Sequence, residues 1–257
     1  MHNKCLILIP LILVITVQFS FADNVTFKSR QEGLELTGIL TKPEGDGPFP
    51  AVVLLHGCTG INDTNSRDKA WVDRLVKLGY AAFQLDSFRP RGVSNICTDW
   101  NLIVGMLGTR AQDAYEAKSY LSNISYIDRN RIGVMGWSHG GTTILDTITR
   151  SVANDSPFKA AVAFYPYCYR SLSNLKSPVL ILIGEKDDWC PADYCTNFMP
   201  SGNTEHEAVL KIYPGAYHDF DYEGLDEVYE GHTLRYDPPA AQDSIVQVKN
   251  FFEKYLK

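Results

Sequence analysis

Four short segments, far apart along the chain, carry groups that could act together on a carbonyl. The first is Gly136-Trp137-Ser138-His139-Gly140, between the apolar run Arg131–Met135 and a helix-forming stretch that opens with Gly141-Thr142-Thr143. Between a strand and a helix, Gly-x-Ser-x-Gly is a sharp turn whose flanks have no room for side chains and which thrusts the serine hydroxyl forward. Neither a Gly-x-x-x-x-Gly-Lys nor a Gly-x-Gly-x-x-Gly pattern accompanies it, so a phosphate cradle is the poorer reading. A serine hydroxyl is a weak nucleophile: an imidazole must take its proton and later return it to the leaving group. A carboxylate must in turn fix the imidazole tautomer and stabilise its charged form.

Both partners sit where an α/β sheet would deliver them. After Val179–Ile183 comes Gly184-Glu185-Lys186-Asp187-Asp188-Trp189, and after Val209–Tyr213 comes Pro214-Gly215-Ala216-Tyr217-His218-Asp219. The order serine, acid, histidine is that of α/β-hydrolases. The candidates are therefore Ser138 as nucleophile, His218 as base and Asp187 as the acid, in preference to Asp188. An oxyanion also needs two backbone donors. The amide of His139 follows the nucleophile, and the turn His56-Gly57-Cys58-Thr59-Gly60 offers the amide of Cys58. No ligand spacing supports a metal site on His56, His139 and His218, and no cofactor is expected.

Short apolar runs at Leu34–Thr41, Ala51–Leu55, Ala81–Leu85, Ile132–Met135, Ala160–Phe164, Val179–Ile183 and Val209–Tyr213 read as strands. Helical patterns at Asp68–Leu78, Thr109–Ser122, Thr142–Val152, near Ala192–Met199 and at Ala240–Tyr255 separate most of them. Such alternation predicts a mostly parallel sheet with helices on both faces and a site beyond the carboxyl ends of its strands. Glu44–Pro48 reads as a turn and Glu223–Pro239 as a polar loop. No segment is long enough for a large lid, which predicts an open site for small soluble substrates.

Residues 1–22 read as a signal peptide: a weakly basic front, an apolar run from Cys5 to Val17 and a small-x-small cut after Ala22. Pro10 and the brevity of the run argue against an uncleaved anchor. The remainder, 23–257, has the length of one α/β domain and a formal charge one unit more negative than the −6 of the whole chain. That acidity, without a basic stripe, argues against nucleic-acid binding. Export, to a periplasm or beyond the cell, favours disulfides. Cys58, Cys97, Cys168, Cys190 and Cys195 remain after the cut, enough for at most two internal bridges whose connectivity the spacing leaves open.

With these segments in hand, the chain resembles the dienelactone hydrolase family of the α/β-hydrolase superfamily. The carriers are Val52–Gly57, Leu85–Gly92, Ile132–Gly141, Gly184–Trp189 and Tyr213–Phe220. The resemblance implies Asp187 as the acid and His218 as the base, with Ser138 standing where the name-giving enzymes carry cysteine. It also implies bridges that pair Cys58 with Cys97 and Cys168 with Cys195; a local Cys190–Cys195 pair competes with the second.

Trp100, Trp137, Trp189, Phe88, Tyr165 and Tyr167 lie in or near strand-end loops and are candidates to line an apolar pocket. Arg91 and Arg89 could hold a substrate carboxylate, with a salt bridge to Asp86 or a loop acid as the competing use. The function expected is an exported hydrolase of small carboxylic esters or lactones working through an acyl-Ser138 intermediate. The competing readings are a non-catalytic scaffold of the same fold and, among enzymes, a peptidase or acyltransferase.

Overall fold

In the computed structural model, residues 21–61, 66–150, 156–202 and 204–257 are described. An eight-stranded sheet runs in the order β1-β2-β4-β3-β5-β6-β7-β8. Its strands are β1 (Phe21–Lys28), β2 (Glu35–Lys42), β3 (Phe49–Leu55), β4 (Ala81–Asp86), β5 (Ile127–Trp137), β6 (Ala161–Phe164), β7 (Val179–Gly184) and β8 (Ala208–Tyr213). β1 and β2 are antiparallel to their neighbours and the remaining pairs are parallel.

The residue patterns explain the layering. In β2 buried Leu36 and Leu40 alternate with less buried positions, the period of a strand with one wet face. β7 is buried at every residue and β3 at all but its first, as expected of parallel strands covered on both faces. The helices α1 (Ser66–Lys77), α2 (Trp100–Leu121), α3 (His139–Thr149), α4 (Ala192–Phe198) and α5 (Pro238–Leu256) supply the cover. α5 begins with Asp237 accepting from the Ala240 amide and Pro238 at its first position, then buries Val248, Phe252 and Leu256 on one stripe.

Two differences from the sequence reading have physical causes. α2 starts at Trp100 rather than Thr109: Gly105, Gly108 and the exposed Trp100 and Val104 blur its amphipathic pattern, and the start signal is Asp99, whose side chain accepts from the Leu102 amide. The polar loop Glu223–Pro239 contains a hairpin of β9 (Asp226–Tyr229) and β10 (His232–Arg235). Its turn has positive φ at both Glu230 and Gly231, and β9 is largely exposed, so no apolar alternation marks it. β1 pairs Phe21 with Lys42 and Ala22 with Thr41, so the expected cut after Ala22 would fall within that strand. Residues 1–20, which hold most of the expected signal peptide, and Val152, at the expected end of the third helix, lie outside the described residues.

Two disulfides, Cys58–Cys97 and Cys168–Cys195, tie loops at the carboxyl edge of the sheet, and Cys190 is a buried free thiol. These bridges point to a non-reducing location. Among the described residues no helix is long and apolar enough to cross a membrane. The bridges close separations of 39 and 27 residues, for which chain entropy gives roughly 3.5–4 kcal/mol each. Non-reduced peptide mapping should therefore recover a 58–97 and a 168–195 fragment, and reductant should lower the melting temperature by several degrees; a Cys190–Cys195 fragment would contradict the structure.

Candidate active site

Ser138 stands at the junction of β5 and α3 with φ 52° and ψ −118°, a backbone state that a non-glycine residue adopts only under constraint. The constraint is close packing against the end of β3. A Cβ on Gly140 would lie 2.1 Å from the Leu55 carbonyl oxygen, and one on Gly136 would lie 2.8 Å from the Gly140 carbonyl carbon. Both flanking glycines are thus required by contact with backbone.

The loops after β7 and β8 bring two partners to this hydroxyl. His218 Nε2 lies 3.0 Å from Ser138 Oγ, and His218 Nδ1 lies 2.8 Å from Asp187 Oδ2. The other Asp187 oxygen accepts from the amides of Trp189 and Cys190. Asp188 turns away: its side chain is exposed and accepts from the Thr233 amide. Burial alone would lower the pKa of His218, but the charge and hydrogen bond of Asp187 outweigh it and hold the imidazole above its ordinary value. The tautomer that fits is Nδ1–H toward Asp187, leaving Nε2 to accept the serine proton.

Backbone and side chains fix His218 from several sides. The Arg235 amide donates to its carbonyl, so the hairpin unseen in the sequence anchors this loop. The Tyr165 ring packs against the imidazole at 4.6 Å, and Tyr165 Oη donates to buried Asp221, which also accepts from Trp71 and Trp137. Arg67 donates to Tyr165 Oη and bridges Asp219.

On the other side of Ser138, Arg110 is fully buried, and among the described residues no carboxylate bridges it. Its guanidinium donates to His139 Nδ1 and to the His56 carbonyl, and lies 4.9 Å over the Phe88 ring. His139 Nε2 donates to the Ile103 carbonyl and His56 Nδ1 to the Gly57 carbonyl. Burial, reinforced by the nearby guanidinium, pushes His139 down to about 3 and His56 well below its ordinary value. Both rings are neutral and structurally engaged. His139 is also the first residue of α3, where the helix leaves the amide without an intrahelical acceptor.

The model of the dienelactone hydrolase family matches residues 36–256. The chain belongs to the dienelactone hydrolase family. That is a family of carboxylic-ester hydrolases, and the chain is an enzyme of that class with the α/β-hydrolase fold. It is 26% identical over 236 residues to "Protein usf" of Aquifex pyrophilus, covering 88% of this chain and 96% of that one. Among solved structures, a dienelactone hydrolase from Anabaena variabilis superposes with TM-score 0.69 at 18% identity, over 93% of this chain and 99% of that one. A dienelactone hydrolase-like promiscuous phosphotriesterase from metagenomic libraries superposes with TM-score 0.71 at 21% identity, over the same shares.

A cavity of about 260 Å³ opens beside Ser138 and His139 in this family member, and a smaller one of about 60 Å³ lies toward His218 and Asp219. Trp189, Trp100 and Tyr167 line the larger one, as does Cys58 of the turn expected to supply an amide. Four other expected lining residues do not. Trp137 and Tyr165 are buried in the core with their polar atoms held by Asp221, and Phe88 packs in a small cluster with Ile96 and Met106. Arg91 grips Asp113 through both terminal nitrogens. Leu107, Ile103 and Val104 of α2 take their place, and were missed because the helix was expected to start later. A wider cleft of about 590 Å³ lies among Lys118, Arg129, Lys159 and Lys176, and none of Ser138, Asp187 or His218 lines it. Among the described residues no cluster of three or more His, Cys, Asp or Glu side chains could hold a metal ion.

The neutral histidines generate a prediction about stability. Their pKa values are lower folded than unfolded, so their stabilisation is complete above the unfolded value of about 6.5 and is lost as pH falls toward 3. For His139 alone the loss between pH 7 and pH 5 is about 2 kcal/mol. The pH dependence of the urea midpoint should therefore flatten in His139→Gln relative to wild type. Identical slopes in the two proteins would show that folding leaves the His139 pKa unshifted.

Proposed function

We propose that the chain is an exported serine hydrolase that cleaves small carboxylic esters or lactones through an acyl-Ser138 intermediate. The observation that carries the reading is the continuous relay in which Ser138 Oγ lies 3.0 Å from His218 Nε2 while His218 Nδ1 lies 2.8 Å from Asp187. In the first half of the reaction His218 takes the serine proton as Oγ attacks the ester carbon. The oxyanion that forms is held by the amides of His139 and Cys58, and the C–O bond to the leaving group breaks as His218 returns the proton to it. In the second half water attacks the acyl-enzyme by the same proton path, releasing the acid and free Ser138. A lactone differs only in that its leaving alcohol stays tethered to the acyl group.

Export is supported by the two disulfides and by the composition of residues 1–22, with cleavage after Ala22 leaving 23–257 as a single hydrolase domain. The proposed partner is a small-molecule ester or lactone, with no cofactor.

Ser138→Ala should abolish fluorophosphonate labelling and reduce p-nitrophenyl ester turnover by about 10⁶-fold, the size of a full nucleophile loss. A folded protein whose Ser138→Ala variant labels and turns over like wild type would overturn the reading.

His218 must be neutral to act as base, and Asp187 holds its pKa above the ordinary value. The acid limb of the kcat/KM profile should therefore have its midpoint above pH 6.5. Asp187→Asn should move that midpoint down and lower kcat by about 10⁴-fold. An unshifted midpoint would exclude Asp187 as the partner of the base.

A further inference from the structure

We propose that the cavity beside Ser138 selects esters whose larger half is apolar and uncharged, and rejects those that carry a carboxylate there. This rests on the serine-hydrolase reading above and names its substrate class. The larger cavity is walled by carbon: Ile103, Val104 and Leu107 from α2, the rings of Trp100 and Trp189, and the Cys58–Cys97 bridge. Trp100 and Val104 are 65% and 51% exposed at this wall, an apolar surface that water covers when the cavity is empty.

Polar side-chain atoms of Thr142, His139 and Tyr169 in the lining are already engaged. Thr142 Oγ1 donates to the Ser138 carbonyl and accepts from the Tyr167 amide. Both nitrogens of His139 are taken up by Arg110 and Ile103, and Tyr169 Oη donates to Asp146. Among the described residues no lysine or arginine lines the larger cavity.

Each nearby guanidinium has a carboxylate of its own or is sealed from the cavity. Arg91 is bound to Asp113, Arg89 bridges Asp86, and Arg150 and Arg170 both bridge buried Asp146. Arg67, at the smaller cavity, is bound by Asp68 and Asp219. Arg110 is fully buried behind the neutral His139 ring. A carboxylate entering the larger cavity would shed water and find no countercharge among its lining residues, which is strongly unfavourable. An apolar chain would gain from each carbon it buries.

The test uses matched ester pairs with the intact protein: p-nitrophenyl pentanoate against the p-nitrophenyl monoester of glutarate, and phenyl butyrate against 4-carboxyphenyl butyrate. The neutral member should exceed the charged one by about 100-fold in kcat/KM when the charge is on the half that occupies the larger cavity. The ratio should persist in 0.5 M salt, since it comes from desolvation and not from the acidity of the whole protein. Lengthening a neutral acyl or alkyl group on that half should raise kcat/KM by up to about fourfold per methylene until the cavity is filled.

Val104→Arg, at an exposed helical position, should shift the ratio toward the charged substrate by at least tenfold, and Trp100→Arg should do the same from the next turn of the helix. Charged and neutral members hydrolysed within threefold of each other in both pairs, with Ser138 still labelled by a fluorophosphonate, would overturn this inference and leave the serine hydrolase intact. Loss of both labelling and turnover would overturn the underlying reading and this inference with it.

Discussion

The contact on which the rest of the site depends is backbone against backbone, where the start of α3 meets the end of β3. Gly140 approaches the Leu55 and His56 carbonyls so closely that no Cβ fits. That approach holds Ser138 in its strained conformation and aims one strand's end at the loops of its neighbours. The parallel pairing of β5 with β3 on one side and β6 on the other fixes how near those loops can come. The strain is sustained because β3 and the Ile132–Trp137 part of β5 are central and buried, and cannot relax without disturbing the core.

Two buried electrostatic arrangements flank that turn, and they act in opposite directions. Toward β7 and β8, carboxylates outnumber cations around His218 and favour its protonated form. Toward α2, burial reinforced by a guanidinium packed between His56 and His139 keeps both imidazoles neutral. One histidine near Ser138 is therefore poised to take a proton and two are barred from doing so. The difference lies in the sign of the nearest charge, since all three rings are buried.

The legible parts of the sequence were those in which a residue type leaves few structural alternatives. Glycines on both sides of Ser138 announced a turn, and continuous apolar runs announced the parallel strands. His218 and Asp187 could be named because each follows such a run by a short loop. The pocket lining was harder to read. Trp137 adjoins Ser138 in sequence, yet successive strand residues point to opposite faces, and its ring goes into the core to meet Asp221. Phe88 and Tyr165 are aromatics in strand-end loops, and sequence alone does not tell a loop aromatic that lines a cavity from one that underpins a loop. The hairpin that ties down the His218 carbonyl was invisible because its residues are polar and exposed, and its Glu-Gly turn lacks the usual Asn-Gly or Asp-Gly signature.

The buried Cys190 has a consequence for how the oxidised protein keeps its connectivity. It lies five residues from Cys195 in sequence, and its amide is bonded to Asp187. Thiol–disulfide exchange requires a thiolate. Burial, with the Asp187 charge beside it, pushes the Cys190 thiol well above its ordinary range and keeps it protonated. Burial, together with the carboxylate that lies against His218, thereby quiets the one free thiol among the described residues, which could otherwise scramble the neighbouring bridge.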